Sequence, residues 1–422
     1  MMRTLRLWDL WKERKFHSAR FVERFLPKLI RPGVARLLNM RRLTINVLEN
    51  HDFLSLPIGP VSDALIRARF VAQDTIRNLS EDESVSGLKA RIVGEARISV
   101  SRRGGFAVKS DTLITRGTWT PAIPKLHFRN SSAAGEVFQT GQTVYLSSSA
   151  RSLTIEKGIC VGSFAPHNWF HWLIDTLPSV FFLKDLPEEY REYPLILPTG
   201  TLNKRSWSEA FHLVNPGHLV LEVMPDALHR VGTLVMVDGV SNGFPRPVDL
   251  AYWNPRIAIR EHAVKEYREH LLAQVPSNAM VGNRFPDRIF IGRRSNKGRA
   301  YNQEEIAELA GQFGFKLIYL EDYSFVNSVA LFQNAKFIIG PHGAGFANAL
   351  FVAPGTRILF WTWDDSRGDN WYENLFFITK ADSERIVISP GDGNLQHRDP
   401  RNSSYRIDAQ QFRARLLSML NK

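Results

Sequence analysis

The chain has 422 residues, more than a single hydrophobic core usually organises, so we expect two domains. Its 44% hydrophobic and 23% charged residues are ordinary for a soluble globular protein, and its single cysteine excludes an intrachain disulfide and fits a reducing compartment. No stretch approaches the ~18 consecutive apolar residues of a membrane span, and the N-terminus lacks the apolar segment of a secretory signal. We therefore expect a cytoplasmic protein.

The formal net charge of +12 is concentrated at the N-terminus. Residues 1–42 carry twelve Lys or Arg against three acidic residues, a net of +9, which leaves +3 for the rest of the chain. A nucleic-acid-binding groove needs its positive charge on the folded domains, so we expect no nucleic-acid partner. The aromatic residues of 1–42 fall near one helical face, which is typical of a basic helix lying on an anionic membrane. The alternative is a terminal helix docked on its own domain.

Residues 43–165 are rich in Val, Ile and Thr and are interrupted by Gly and Ser clusters, which predicts short strands and turns. Further along, "YPLILP", "HLVLEV" and "GTLVMVDG" predict three strands, with a helix around 203–214. The stretch "SNGFPRP" predicts a turn-rich break. We place a domain boundary near 250, followed by a connecting helix from about 254 to 274.

The second half alternates strands with helices. "DRIFIG", "FKLIYL", "KFIIG" and "TRILFW" are buried-type strands. Asn302 with Glu305 forms a capping-box signature for a helix that stops at Gly314, and Ser324 and Asp408 begin two further helices. "PHGAGFANALF" reads as a loop entering a helix. Alternation at this spacing predicts a parallel sheet covered on both faces.

Two segments of the second half fall at the carboxyl ends of these strands, where open parallel sheets bind ligands. "GRRSNKGRAYN" follows the first strand and is basic, whereas "GPHGAGFAN" follows the third and is rich in glycine. Glycines let backbone amides approach a ligand, and a following helix directs its positive end to the same place. Together the segments predict an anion pocket suited to a diphosphate. The glycine spacing matches neither the dinucleotide fingerprint nor the P-loop, so nicotinamide and ATPase functions are not expected.

The stretch "HNWFHWLID" places His167, His171 and Asp175 at four-residue intervals, on one face of a helix predicted to begin near Ser163 and to bend or end at Pro178. Three ligands spaced in this way extend about 12 Å along the helix, too far for one zinc ion. The polar stripe is then either decoration of a core helix or a catalytic dyad. In the dyad, which we favour, His171 accepts a hydroxyl proton and Asp175 orients it, or the two exchange roles.

These motifs resemble glycosyltransferase family 61. The resemblance rests on "HNWFHWLIDTLP", "IGRRSNKGRAYNQEE" and "AKFIIGPHGAGFANALFVAPG" and covers roughly residues 155–365. It implies a GT-B-like fold with two Rossmann-like domains facing a cleft, a nucleotide-sugar donor, and inverting, metal-independent transfer without a cofactor. Carried over by position, the catalytic pair is His171 and Asp175. The donor-side residues are Arg293, Arg299, Asn302, His342, Gly343 and Asn348, to which we add their neighbours Arg294, Ala344 and Gly345.

The sequence thus predicts an α/β protein in three parts: a basic amphipathic segment at 1–42, a strand-rich acceptor-side domain at 43–250, and a nucleotide-sugar-binding Rossmann-like domain at 251–422 with a terminal helix. We expect an enzyme that acts on a glycan or lipid-linked acceptor in cell-surface polysaccharide biosynthesis, of the capsular type, in the cytoplasm or peripherally on the inner face of the membrane.

Two alternatives to this function stay open. One is a non-catalytic nucleotide-sugar-binding or assembly subunit, because Asn327 and Ser328 stand where the family usually has Glu and Gln. The other is a hydrolase that uses His171 and Asp175 on a glycosyl or phosphoryl substrate.

Overall fold

The computed structural model describes residues 40–47, 52–66, 68–70, 74–78, 84–101, 104–115, 137–140, 143–147, 152–161, 167–225, 227–244, 256–275, 285–294, 299–363, 371–388 and 404–422. Of the basic segment predicted at 1–42, only 40–42 are described, at the start of the first strand. The membrane-binding prediction therefore lies outside the described residues.

The strands of the first half are β1 (Met40–Val47), β2 (Leu54–Ile66), β3 (Ala68–Phe70), β4 (Ile76–Asn78), β5 (Ser84–Ser101), β6 (Gly104–Lys109), β7 (Thr112–Thr115), β8 (Val137–Thr140), β9 (Thr143–Ser147), β10 (Thr154–Cys160), β11 (Leu195–Pro198), β12 (Val220–Val223), β13 (His229–Val237) and β14 (Ser241–Phe244). Those that follow are β15 (Arg256–Arg260), β16 (Arg288–Ile291), β17 (Lys316–Ile318), β18 (Phe337–Pro341), β19 (Arg357–Trp363) and β20 (Asp382–Ile388).

The helices are α1 (169–181), α2 (Arg205–Val214), α3 (Glu261–Ala273), α4 (Gln303–Gly311), α5 (Phe325–Asn334), α6 (Trp371–Thr379) and α7 (Ala409–Asn421). Short 3-10 segments are Phe182–Asp185, Glu188–Tyr190, Thr201–Asn203, Leu320–Asp322 and Ala344–Phe351. Most predicted elements are present, and both Ser324 and Asp408 cap their helices by accepting a backbone N–H three residues on.

The first sheet joins a parallel part to an antiparallel part. Strands β10, β11, β12 and β13 run parallel in the spatial order β12-β11-β10-β13, and β13 then pairs antiparallel with β5. Numbered along the chain, the parallel part has the order 3-2-1-4, the beginning of the Rossmann order. The chain leaves β10 for β11 on one side, while β13 occupies the other side. This change of direction marks a switch point between β10 and β13.

The second sheet is entirely parallel and has the order β17-β16-β18-β19-β20. This confirms the parallel sheet predicted from the alternation of strands and helices. Along the chain the order is 2-1-3-4-5, so the switch point lies between β16 and β18. Those two strands precede the basic segment and the glycine-rich segment. Strand β20 is the last strand of this sheet, and helix α6 precedes it in the chain. Neither element was predicted.

The first sheet continues past the boundary predicted near 250. Ser241–Phe244, expected to be a turn, forms β14 and pairs with β15, which in turn pairs with β2. This pairing outweighs the turn preference of the local Asn-Gly sequence. Buried Asp63 of β2 also accepts the backbone N–H groups of His262 and Ala263, at 2.7 and 3.0 Å, and so caps α3. The connecting helix predicted from 254 therefore starts later, at Glu261, because the residues before it form β15.

Helices between the two sheets pack on both of them. One buried hydrophobic cluster includes residues of β10 and of β18. Glu209 of α2 accepts the first backbone N–H of α5 at 2.6 Å. Arg268 of α3 donates to the carbonyl oxygens of Leu350 and Val352, at 2.6 and 2.9 Å. These hydrogen bonds satisfy carbonyl groups at the end of the 3-10 segment Ala344–Phe351. The α/β class is confirmed, whereas a GT-B arrangement of the two parts stays a prediction.

Candidate active site at two switch points

Helix α1 begins later than the sequence predicts. Asn168 is its N-cap and accepts the backbone N–H of Phe170 at 2.9 Å, so the first helical residue is Trp169. His167 precedes the cap and is exposed. The prediction that His167 shares a helix face with His171 is therefore wrong. The predicted start at Ser163 lies outside the described residues.

Pro178 changes the shape of α1 without ending it, because the helix continues to Phe181. Proline has no N–H to donate to the carbonyl of Ile174, and its ring clashes with that carbonyl in a regular α-helix. The turn before it, Trp172–Thr176, is a π-helix in which Leu177 donates to the carbonyl of Trp172. His171 immediately precedes this π turn, and Asp175 lies within it.

The two side chains predicted to form a dyad are in contact and buried. His171 Nδ1 lies 2.6 Å from Asp175 Oδ2, and the two residues are 8% and 4% exposed. The second carboxylate oxygen, Oδ1, accepts a hydrogen bond from Ser241 Oγ at 2.5 Å. Sequence reasoning missed Ser241, because it lies in a stretch that was interpreted only as a turn.

The dyad lies at the switch point of the first sheet. Helix α1 follows β10, and Ser241 follows β13, the two strands that flank this point. Ser179 donates to the backbone carbonyl oxygens of Asp175 and Asp238, both at 3.2 Å. Asp238 itself forms a buried ion pair with Arg91 at 2.9 Å. These bonds hold α1 against the carboxyl end of β13.

The second switch point brings together the two segments predicted to form an anion pocket. Arg293, after β16, donates from Nη2 to the carbonyl oxygen of His342, after β18, at 2.9 Å. A Cβ atom on Gly343 would lie 2.7 Å from the same Nη2, so only glycine lets the guanidinium lie this close. Gln303, a residue not predicted, accepts the backbone N–H of Arg293 at 2.6 Å.

Two other predicted donor-side residues, Arg294 and Asn302, form side-chain hydrogen bonds within the protein. Arg294 is exposed and pairs with both carboxylate oxygens of Asp322, at 2.6 and 2.7 Å, and this hydrogen bonding raises the pKa of its guanidinium. Asn302 does not cap α4 with its side chain. Its amide group instead donates to Glu305 and exchanges hydrogen bonds with the backbone of Ile407, which fastens the basic segment to the chain before α7. Arg299 is half-buried, and its φ of 63° lies in the left-handed region.

The glycine-rich segment enters a 3-10 helix, Ala344–Phe351, where we expected an α-helix. Ala344 and Gly345 are half-buried. Asn348 donates from Nδ2 to the carbonyl oxygen of Gly345 at 2.9 Å. Its Oδ1 is buried and accepts no hydrogen bond from the described residues. A buried acceptor without a protein partner can receive a hydrogen bond from a ligand or from water.

The start of α6 joins the two switch points. The ring of His171 lies 4.8 Å from that of Trp371, and the ring of His342 lies 4.8 Å from that of Tyr372. Phe170 contacts both α6 rings, at 5.2 Å each. The dyad and the arginine-bearing turn therefore lie on either side of two consecutive residues. No sequence motif identified α6, whose first residue follows a segment outside the described residues.

An aromatic cluster holds the C-terminal end of the basic segment. Tyr301 and Tyr405 stack with ring centroids 5.3 Å apart, and Trp361 Nε1 donates to the hydroxyl of Tyr405 at 3.2 Å. Burial raises the pKa of Tyr405 to about 12, so the phenol stays neutral at physiological pH. Tyr301 donates to Gln303 at 3.0 Å. The cluster thus fixes the residue that holds the backbone of Arg293.

Within the described ranges, no three His, Cys, Asp or Glu side chains are grouped so as to hold a metal ion. Asp364 and Asp365 lie outside those ranges. No helix in the described part of the chain is long and apolar enough to cross a membrane.

Residues 169–359 match the family model Glycosyltransferase 61, which confirms the family resemblance inferred from the sequence. The matched range contains the dyad and every predicted donor-side residue.

The chain is also similar to protein O-linked-mannose beta-1,4-N-acetylglucosaminyltransferase 2 from several mammals. The Bos taurus protein is 25% identical over 221 residues, and the Mus musculus protein is 24% identical over 224 residues. Each match covers 48% of this chain and 37% of the relative. The chain thus matches well under half the length of these relatives.

Proposed function

We propose that this protein is an inverting glycosyltransferase that moves a sugar from a nucleotide-sugar donor to a hydroxyl group of a glycan or lipid-linked acceptor. One observation carries the proposal. The histidine–aspartate pair lies at one switch point and the arginine-bound glycine turn at the other, and they contact the consecutive residues Trp371 and Tyr372. The first can move a proton, and the second can receive an anion. The family match supports the same activity.

On the donor side, a nucleoside diphosphate must be stabilised as its negative charge grows. Arg293 supplies a fixed positive charge, and the turn at His342 and Gly343 exposes backbone close to it. Arg294 already pairs with Asp322, and Asn302 already binds Ile407. We therefore assign the main charge interaction to Arg293 and supporting roles to the other two.

On the acceptor side, His171 takes the proton of the attacking hydroxyl. The hydroxyl oxygen forms a bond to the anomeric carbon while the bond from that carbon to the diphosphate oxygen breaks, and the leaving diphosphate keeps the electron pair. Asp175, 2.6 Å from Nδ1, stabilises the imidazolium that results. The exchange of roles, with Asp175 as the base, is the second assignment.

We further propose that the reaction needs no metal ion or cofactor, and that it takes place in the cytoplasm or at the inner face of the membrane. The acceptor predicted from the sequence belongs to a cell-surface polysaccharide of the capsular type. The names of the mammalian relatives describe a different acceptor, O-linked mannose on protein. Both acceptor classes are therefore needed in a test.

The test is incubation of the full chain with a panel of nucleotide sugars, including nucleotide-linked N-acetylglucosamine, with and without mannosides or polysaccharide fragments. Acceptor-dependent release of nucleoside diphosphate, with an inverted anomeric product, is the expected result. Binding of a nucleotide sugar without any release would favour the non-catalytic subunit. Release that yields free sugar without an acceptor would favour the hydrolase.

A further inference from the structure

The carboxylate of Asp175 has two partners, one on each oxygen. Oδ2 lies 2.6 Å from His171 Nδ1, four residues away, and Oδ1 lies 2.5 Å from Ser241 Oγ, on the far side of the first switch point. Asp175 is only 4% exposed, so water contributes little to its solvation. The orientation of the carboxylate is therefore set by these two side chains.

We propose that Ser241 is a positioning residue for the dyad, an inference that rests on the proposed function. Its hydroxyl donates to Oδ1 and turns the carboxylate so that Oδ2 faces Nδ1. A carboxylate held in this way favours the imidazole tautomer that carries its proton on Nδ1. Ser241 thus acts on the proton-accepting group through Asp175, without contacting the substrate.

The position of Ser241 is fixed by sheet pairing. Ser241 is the first residue of β14 and pairs with Ile259 of β15, and the backbone N–H of Arg260 donates to the carbonyl oxygen of Val240 at 3.0 Å. A hydroxyl supplied by a strand is held more precisely than one supplied by a loop. A sequence change at Ser241 therefore removes the donor without removing the backbone that carries it.

Ser179 provides a matched control. Like Ser241, it is a serine that donates to Asp175, but it is fully buried, and its hydroxyl donates to backbone carbonyl oxygens, those of Asp175 and Asp238, at 3.2 Å. Loss of this hydroxyl weakens the attachment of α1 to β13 and leaves the described hydrogen bonds of the Asp175 carboxylate unchanged. A purely structural role of Ser241 would make the two alanine variants behave alike.

The experiment compares Ser241→Ala, Ser241→Thr and Ser179→Ala in the full chain. Imidazole ¹⁵N NMR identifies the tautomer of His171, whose signals are assigned by their loss in His171→Ala. We expect Ser241→Ala to mix the tautomers and to lower kcat roughly ten- to hundred-fold, the range of a charge-assisted hydrogen bond, with an unchanged KM for the donor. Ser241→Thr should restore both, and Ser179→Ala should leave the tautomer unchanged.

An unchanged tautomer in Ser241→Ala, or an equal change in Ser179→Ala, would overturn the proposal. If Ser241→Ala does not fold, Ser241→Cys keeps nearly the same volume with a weaker donor and must show an intermediate tautomer mixture. The tautomer is read without any substrate, whereas the proposed function is tested by the turnover of His171→Ala. The two ideas therefore fail separately.

Discussion

The two switch points are built in different ways, although both lie at the carboxyl ends of parallel strands. At the first switch point His171 and Asp175 are buried, and side chains there form hydrogen bonds of 2.5 and 2.6 Å to each other. The second is half-buried, and its cation is attached to backbone, with Arg293 held by the carbonyl oxygen of His342. A buried imidazole paired with a carboxylate suits proton transfer. A guanidinium that is partly exposed to solvent suits the binding of an anion from solution. The comparison predicts that mutations at the two points change different kinetic quantities.

The largest effect is expected at the first point. His171→Ala should lower turnover by roughly 10²–10⁴, the usual range for a lost general base, while donor affinity stays nearly constant. His167→Ala is the control, because His167 is exposed and precedes the helix. Steady-state kinetics with calorimetry of nucleoside diphosphate binding separates the two quantities. A damaging His167→Ala together with a tolerated His171→Ala would refute the dyad assignment.

At the second point the expected effect is on binding. Arg293→Ala should weaken nucleoside diphosphate binding by roughly 1.5–3 kcal/mol, the range of a hydrogen bond to a charged group. Arg294→Ala removes an equal charge from the neighbouring position, where the guanidinium is exposed and paired with Asp322, so its effect should be smaller. Calorimetry on both variants measures the difference. Equal losses would mean that net positive charge matters and that the contact with His342 does not.

How much of the fold and of the candidate site the sequence predicts depends on whether the interactions are local or join residues far apart in the chain. Strand ends, Ser324 and Asp408 were recognised because local patterns determine them, and so were the two segments that contain Arg293 and His342. The partner of Asp175 was missed because Ser241 is brought to it by β13 and β15, far along the chain. Asn302 is the N-cap residue of α4, as its spacing to Glu305 predicts, but its side-chain amide binds the backbone of Ile407, more than a hundred residues along the chain, a contact that no local pattern shows.

The π turn offers a way to disturb the first point while leaving its residues in place. Pro178→Ala restores an N–H that can donate to the carbonyl of Ile174, so Trp172–Thr176 should relax toward a regular α-helix. This change of backbone would shift Asp175 relative to the groups around it, and we expect a fall in kcat of about tenfold, since misplaced catalytic groups cost up to ~10²-fold. Donor binding should not change. Kinetics and thermal unfolding of the variant would show whether activity falls without a matching loss of stability.

The smallest effect is expected from a chelator. If Arg293 and the turn at Gly343 carry the charge of the departing diphosphate, EDTA should leave turnover unchanged, because charge stabilisation then comes from the protein. The measurement is the initial rate with and without EDTA, followed by addition of magnesium or manganese. Activity that disappears with EDTA and returns with either metal would show that the second switch point is incomplete without an ion. Asp364 and Asp365, which follow β19 in the sequence, would then become the ligand candidates to mutate.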